Sequence, residues 1–265
     1  MLIRIASFLI QTGFGSPTIS NAGVLNAADG DQRFSPGSMI SIYGTSLAGC
    51  TKKTDASALP NNICGTAITV AGTPALLYYI DPSQANVLVP TAMPLAQDIP
   101  VIVTRTDTGA SPPQVVPASV VSSIFPAIFT YALDDDVPRA LIQNSDKTLN
   151  GPPGKDTSRR PLQLGENAVL FANGLGPTSP GMPDGKAAQA TSPASTTGPV
   201  SLYVNNILQK VSSSGLAPGI AGLYQVTFSL DSLTPVHPDG QNTVWINVAG
   251  VESNRAQISL APKNP

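Results

Sequence analysis

Apolar and polar residues alternate along several short stretches of the chain, the pattern of strands that bury one face. The first half contains four such stretches: SMISIYG (38–44), TAITVAG (66–72), QANVLVP (84–90) and PVIVTRT (100–106). The second half contains four more: ENAVLFA (166–172), VSLYVNN (200–206), QVTFSLD (225–231) and TVWINVA (243–249). The sequence therefore predicts two sets of strands that follow one another in the same order.

The two sets also agree in phase. A slip of one residue would move every apolar side chain of a strand to the opposite face, so matched phase is a stronger test of a repeat than matched order. The positions that share the predicted inner face are Thr66, Ile68 and Val70 with Val200, Leu202 and Val204; Ala85, Val87 and Val89 with Val226, Phe228 and Leu230; and Val101 and Val103 with Val244 and Ile246. We therefore expect corresponding faces to be buried in both halves.

Short strands with frequent turn signals, repeated once, predict an all-β chain of two tandem immunoglobulin-like antiparallel β-sandwich domains. The predicted boundaries are 1–126 and 127–265, with the apolar junction around Pro126 packed between them. The segment 176–199 is rich in Pro, Gly and Ser and predicts a long surface loop of the second domain. The alternative is one large sandwich or barrel, which the matched phase disfavours.

Composition supports this fold class. The chain has 26 Pro and 23 Gly, which interrupt it too often for long helices. Disorder is the competing interpretation of such a composition, but 42% hydrophobic residues in regular short runs favour a packed protein. The formal net charge is -2, so no basic surface is expected to bind nucleic acid.

The two cysteines, Cys50 and Cys64, flank a polar loop. A disulfide there would stabilise the fold by about 3 kcal/mol in the chain-entropy model and would indicate export; two buried thiols are the alternative. Residues 1–16 contain one Arg and a short apolar run, which fits a remnant of a signal peptide or a first β-strand. The run is too short for a membrane span. We expect a secreted or cell-surface protein.

Several long segments of the sequence carry a family resemblance. They are NAGVLNAA (21–28), DPSQANVLVP (81–90), FPAIFT (125–130), GLAPGIAGLYQV (215–226) and VESNRAQISL (251–260). From about residue 17 to 262 the chain resembles the uncharacterised Solibacter-type C-terminal domain of acidobacterial exported proteins, and its first half is similar to IPT/TIG immunoglobulin-like modules. The resemblance implies an exported protein; the biochemical role of that family is unassigned, and the family supplies no catalytic residue to carry over.

Candidates for nucleophilic catalysis are few. The chain has a single histidine, His237, so a Ser-His-Asp triad would have to include it, with Asp239 as its orienting acid. Ser46 in GTSLAG is the candidate nucleophile, although Ala48 stands where the nucleophile-elbow pattern needs Gly. The competing interpretation of His237 is a solvated turn residue between two prolines.

Calcium is the one metal for which ligands are available. Asp134, Asp135 and Asp136 are adjacent, and Asp146 lies in a second polar turn, so hard oxygen ligands occur close together in the sequence. Adjacent residues of an extended chain point apart, and the spacing is not that of an EF-hand, so a solvated acidic turn is the competing interpretation. A zinc site would lack ligands. We expect no required cofactor.

Five aromatic residues lie in or beside predicted strands: Tyr78, Tyr79, Tyr203, Tyr224 and Trp245. An exposed aromatic row on a sandwich face is a common way to bind carbohydrate, whereas Trp245 between Val244 and Ile246 fits a core position better.

Two functions follow as hypotheses. The first is a secreted or cell-surface immunoglobulin-like binding or adhesion module without catalysis of its own, whose partner is an extracellular polysaccharide, a small molecule or a protein. The second is a secreted hydrolase of esters or lactones, with or without Ca²⁺, using His237 or the Asp134–Asp136 cluster.

Overall fold

A computed structural model describes residues 15–154, 156–237 and 239–262. The described chain is all-β, with a single 3-10 turn at Ala118–Val120 and antiparallel pairing between nearly all neighbouring strands. The predicted fold class, tandem antiparallel sandwiches of immunoglobulin-like type, is confirmed. The expectation of a signal peptide or strand falls on residues 1–14, outside the described part of the chain.

The N-terminal sandwich (residues 15–126) is built from two sheets. Its strands are β1 (Thr18–Asn26), β2 (Met39–Thr45), β3 (Lys52–Lys53), β4 (Thr66–Val70), β5 (Thr73–Pro74), β6 (Leu76–Ile80), β7 (Gln84–Leu88), β8 (Ile99–Arg105), β9 (Gly109–Ala110) and β10 (Gln114–Val116). One sheet has the order β1-β2-β7-β6-β3 and the other the order β10-β8-β4-β5, with β9 paired to β8.

The C-terminal sandwich (residues 127–262) has more and shorter strands. They are β11 (Ala127–Ile128), β12 (Thr130–Tyr131), β13 (Arg139–Ala140), β14 (Ile142–Asn144), β15 (Leu149–Asn150), β16 (Arg159–Arg160), β17 (Asn167–Asn173), β18 (Thr178–Ser179), β19 (Ser195–Thr196), β20 (Val200–Val204), β21 (Ile207–Leu216), β22 (Tyr224–Ser229), β23 (Thr243–Val248), β24 (Val251–Glu252) and β25 (Ala256–Gln257). The long strand β21 pairs with β20 through its first residues and with β22 through the remainder, so it belongs to both layers.

Strand pairing is duplicated along with the sequence. In the N-terminal sandwich β2 pairs with β7 and β4 pairs with β8. The corresponding strands pair in the same way in the C-terminal sandwich, β17 with β22 and β20 with β23. The alternating residues that the sequence places on inner faces are buried in both copies, Ile68 and Val70 like Leu202 and Val204.

The apolar core is divided accordingly. One cluster of buried side chains draws only on residues between Ile19 and Val121, and a second only on residues between Ile128 and Leu260. A third, small cluster joins Leu59 and Leu88 of the first sandwich to Ala221 of the second. The two sandwiches therefore have separate cores and a packed interface.

The segment 176–199 is more than a surface loop. It contains the short pair β18 and β19, and Gly185 and Ala188 within it are buried. The backbone N–H of Leu59 donates to the carbonyl of Gly185 at 2.9 Å, so the segment lies against the N-terminal sandwich. Nothing helical in the described residues is long and apolar enough to cross a membrane.

Candidate functional site

The catalytic candidates are not brought together. Ser46 follows β2, and its carbonyl accepts a hydrogen bond from Arg105 Nη1 at 3.0 Å. His237 is exposed in a turn where its backbone N–H donates to Asn242 Oδ1 at 2.9 Å. In the same turn, Asp239 Oδ1 accepts from the N–H of Gln241 at 3.0 Å. Within the described ranges, no hydrogen bond connects Ser46 with His237 or Asp239, so these three candidates do not form a triad there.

The carboxylates proposed for calcium are engaged with arginines. Asp135 accepts from Arg139 Nη1 at 2.7 Å and Nη2 at 2.5 Å, and this charge-assisted bonding lowers the pKa of Asp135 to about 2. Asp146 accepts from Arg160 Nε at 2.6 Å, which lowers its pKa. Asp134 and Asp136 are exposed beside Asp135. In the part of the chain that the structure describes, no three acidic, His or Cys side chains are grouped as metal ligands.

The predicted disulfide between Cys50 and Cys64 is confirmed, with the two Cα atoms 6.4 Å apart. It closes a loop of residues 51–63 that we call the clipped loop. The clipped loop meets the C-terminal sandwich through its backbone: the N–H of Ala221 donates to the carbonyl of Ala56 at 2.8 Å, and the N–H of Ala187 donates to that of Ser57 at 3.0 Å. The disulfide thus braces one side of the interface.

Two of the aromatic residues form a stack on the outer face of the C-terminal sandwich. The rings of Tyr203 and Trp245 are parallel with centroids 4.1 Å apart, and the guanidinium of Arg255 lies 4.5 Å from the centre of the Trp245 ring. Val244 and Ile246 point into the core, so Trp245 points away from it, yet only 9% of Trp245 is exposed. The expected burial of Trp245 is confirmed, although it lies outside the main core cluster, and because Tyr203 and Arg255 cover its ring, the ring offers no platform for a sugar.

The other three aromatic candidates, all of them tyrosines, donate hydrogen bonds through their hydroxyl groups. Tyr79 donates its hydroxyl to Asp81 Oδ2 at 2.7 Å. Tyr78 donates across the interface to the carbonyl of Ala221, and its burial raises its pKa. Tyr224 donates to the carbonyl of Gly176, and burial raises its pKa to about 12. Tyr78 and Tyr224 therefore act as neutral donors at the interface.

A cavity of about 330 Å³ lies between the two sandwiches. We call its buried lining the floor: Gly37, Leu88, Gly176, Gly185 and Tyr224. Leu88 belongs to the N-terminal sandwich and is only 3% exposed, whereas Tyr224 comes from β22 of the C-terminal sandwich. Neither sandwich could form the cavity alone.

The exposed lining of the cavity, which we call the rim, is more polar than the floor. It includes Thr91, Gly181, Asp184 and Lys186. Asp184 Oδ2 accepts from the backbone N–H of Thr91 at 3.0 Å, which ties the rim of one sandwich to that of the other. The cavity thus combines an apolar floor with a few charged and hydroxyl groups at its mouth, as ligand sites commonly do.

Glycines permit the close approach that shapes this cavity. Gly222 has φ +69°, and a Cβ there would lie 2.2 Å from Leu88 Cδ1. Gly185 has φ +75°, and a Cβ there would lie 2.5 Å from Leu76 Cδ1. Both conformation and space favour glycine at these positions. The sequence patterns did not predict this site. The segments PGMPDGK (180–186) and GLAPGIAG (215–222) have glycines at short intervals, and such spacing is the one signal of a close backbone contact that the sequence offers.

Comparisons with known proteins leave the family open. No protein-family model matches the chain, and no curated protein matches it. The resemblance to the Solibacter-type domain therefore stays a prediction.

Several solved structures align with the chain at low similarity. A surface glycan-binding protein from Prevotella bryantii is 12% identical, with a TM-score of 0.26, over 91% of this chain and 41% of that one. The protein SGBP-B of the Bacteroides ovatus mixed-linkage glucan utilization locus is 11% identical, with a TM-score of 0.34, over 87% of this chain and 44% of that one. The fibronectin(III)-like modules of Clostridium thermocellum CbhA are 15% identical, with a TM-score of 0.20, over 92% and 93%.

The chain spans less than half the length of the first two of these proteins. At these TM-scores, the alignments carry no argument about what this chain binds.

Proposed function

We propose that the chain is a non-catalytic ligand-binding module of a secreted or cell-surface protein, and that its ligand occupies the cavity between the two sandwiches. The single observation that carries the proposal is the cavity itself, with its apolar floor and polar rim built jointly by both sandwiches. Its volume of about 330 Å³ lies at the lower end of the range for small-ligand sites.

Two further observations support the proposal. The disulfide between Cys50 and Cys64 favours an extracytoplasmic location, since disulfides persist in oxidising compartments. The side chains considered for hydrolysis lie apart: Ser46 is in the N-terminal sandwich, and His237 and Asp239 are in an exposed turn of the other. The ligand classes expected from the sequence are an extracellular polysaccharide, a small molecule and a protein.

A variant that blocks the cavity tests the proposal. Gly181 is an exposed rim residue without positive φ, and a Cβ there would meet only Thr178 O at 4.0 Å, so Gly181→Trp fills the mouth without straining the fold. Gly198→Trp is the matched control, because Gly198 has no atom within 4 Å of its Cβ position and does not line the cavity.

The binding assay uses an array of neutral and acidic soluble polysaccharides and a peptide library, probed with the wild type and both variants. We expect a ligand that Gly181→Trp loses and Gly198→Trp retains. Equal binding by all three proteins would place the site elsewhere. Hydrolysis of ester or lactone substrates that stops in Ser46→Ala or His237→Ala would overturn the non-catalytic part of the proposal.

A further inference from the structure

The floor of the cavity has no uncommitted side-chain polar group. Leu88 presents hydrocarbon, and the one hydroxyl among the floor residues, that of Tyr224, already donates to the carbonyl of Gly176. A ligand hydroxyl pressed against Leu88 would lose its water without gaining a side-chain partner, at a cost of about 1–3 kcal/mol. The part of a ligand that reaches the floor is therefore apolar.

The rim has the opposite character. Asp184 and Lys186 are both exposed there, two residues apart, and neither belongs to an ion pair within the described residues. One Asp184 oxygen accepts from Thr91, which leaves the other oxygen as an acceptor and the Lys186 ammonium as a donor. Their opposite charges cancel, so the rim favours neither an anionic nor a cationic ligand.

We propose that the cavity binds a bulky apolar side chain of a partner polypeptide, and that an amide next to this side chain lies at the rim between Asp184 and Lys186. This inference rests on the proposed function and names its ligand class. An amide is neutral and carries one donor and one acceptor, which matches the carboxylate and the ammonium of the rim. Gly181 has no side chain, so a peptide backbone can approach the rim closely there.

The proposed arrangement is that of an interface anchor. Apolar and aromatic side chains that fill a desolvated pocket dominate the binding energy of many protein complexes, while polar groups around the pocket fix orientation. A cavity of about 330 Å³ has room for one such anchor. The two sandwiches would both contact the partner, because both line the cavity.

Capped tripeptides, acetyl-Gly-Xaa-Gly-amide, test the inference by titration into isotope-labelled wild-type protein. With Xaa as Trp or Leu, we expect shifts of the amide resonances of residues 181, 182, 184–186 and 222, and affinities at least tenfold higher than with Xaa as Gly. The tripeptide with Lys at Xaa should bind no more tightly than the tripeptide with Gly at Xaa. Gly181→Trp should abolish the binding and Gly198→Trp should retain it.

A second variant keeps the test independent of the blocking substitution. Lys186→Met removes the exposed donor without changing the floor, and we expect it to weaken the Trp tripeptide several-fold while leaving the thermal unfolding midpoint unchanged. An unchanged affinity in this variant would contradict the role assigned to the rim.

Two parallel arms separate the two proposals. If neutral oligosaccharides or octanoate bind in a manner that Gly181→Trp blocks, while the tripeptides do not bind, the cavity is a ligand site and the peptide inference is wrong. If no tripeptide, oligosaccharide or octanoate shifts the resonances of the cavity, both the inference and the cavity as the functional site are overturned.

Discussion

The side-chain amide of Asn173 holds the backbone of Met39 as a neighbouring β-strand would. Asn173 Oδ1 accepts from the N–H of Met39 at 2.9 Å, and Asn173 Nδ2 donates to the Met39 carbonyl at 2.8 Å. The same Nδ2 donates to Asn26 Oδ1 at 2.8 Å. Asn173 is fully buried, so these bonds join the two sandwiches in a place that water does not reach.

The same arrangement occurs twice within the C-terminal sandwich. Asn254 makes paired bonds with Ile128, accepting from its N–H at 2.7 Å and donating to its carbonyl at 3.1 Å. Asn150 does so with Ser259 at 2.9 and 2.8 Å. Side-chain amides thus add to the backbone pairing at three points; the Met39 carbonyl also accepts from the Ala27 N–H at 3.0 Å, and that of Ser259 from the Leu162 N–H at 2.9 Å.

Replacing Asn173 with Ala should destabilise the interface. The substitution removes three hydrogen bonds and leaves the N–H of Met39 without a partner, which costs about 1–3 kcal/mol for that group, while the Met39 carbonyl keeps its bond from the Ala27 N–H at 3.0 Å. We expect the free energy of unfolding to fall by about 2–4 kcal/mol, measured by urea denaturation. Hydrogen exchange should show faster exchange of the Met39 amide.

Asn247→Ala is the matched control for this prediction. Asn247 is half-buried, and its side chain accepts one bond, from the N–H of Gly250 at 3.0 Å, inside a tight turn. We expect a loss of at most about 1 kcal/mol and no change in exchange at Met39. Equal effects of the two substitutions would show that Asn173 has no special role.

Stability should depend on Glu166 in a defined pH range. Hydrogen bonds from Arg160, with Nη2 2.5 Å from Oε1 and Nη1 2.9 Å from Oε2, hold the pKa of Glu166 at about 2 in the folded protein. A lowered folded-state pKa gives stability that is complete above the unfolded pKa near 4.5 and is lost as the pH falls to about 2. The Glu166 side chain is 10% exposed, so the contribution is on the order of 2–3 kcal/mol.

Glu166→Gln should flatten the stability profile between pH 4.5 and pH 2, as measured by urea denaturation across that range. Glu252→Gln is the control, because Glu252 and its partner Arg255 are both about half exposed and 3.4 Å apart, and such surface pairs contribute little. If Glu166→Gln and the wild type lose stability in parallel, the ion pair with Arg160 does not contribute as stated.

The strand faces could be predicted because successive side chains of a strand point to opposite faces of its sheet. Ile68 and Val70, like their counterparts Leu202 and Val204, are all buried, as the matched phase requires. Trp245 is buried, as expected, but it lies on the face of its strand opposite to Val244. Alternation could not show that Tyr203 and Arg255 cover the indole, because that depends on side chains distant in the sequence.

The cavity could not be predicted from periodicity. Segment 176–199 lacks alternation because turns and prolines interrupt it, and its position is set by backbone bonds to the clipped loop, such as that from Leu59 to Gly185. Asn173 in the segment FANGL and Asn150 in the segment TLNG each precede a glycine, a composition typical of exposed turns. Both are nevertheless buried. Their burial depends on distant partners that a local pattern does not contain.

Removing the disulfide should weaken the protein. The bond between Cys50 and Cys64, 14 residues apart in sequence, restricts the unfolded chain, so Cys50→Ser with Cys64→Ser should cost about 3 kcal/mol. Wild-type protein treated with dithiothreitol should unfold at the same urea concentration as the double variant, and the double variant should not respond to dithiothreitol. A double variant as stable as the oxidised wild type would contradict this expectation.

A pair of glycine substitutions can separate backbone strain from steric conflict at the interface. Gly219 and Gly222 have φ values of +80° and +69°, so an alanine at either position pays a similar conformational cost of about 1 kcal/mol. Around Gly219 a Cβ would meet nothing within 4 Å, whereas at Gly222 it would lie 2.2 Å from Cδ1 of the buried Leu88. Because Leu88 is packed in the cluster that joins the sandwiches, it cannot move aside freely.

We expect Gly222→Ala to lower the free energy of unfolding by about 1–3 kcal/mol more than Gly219→Ala does in urea denaturation, and to weaken the binding of any ligand to the cavity. Equal losses for the two variants would mean that the sandwiches are not held as closely at Leu88 as the structure shows.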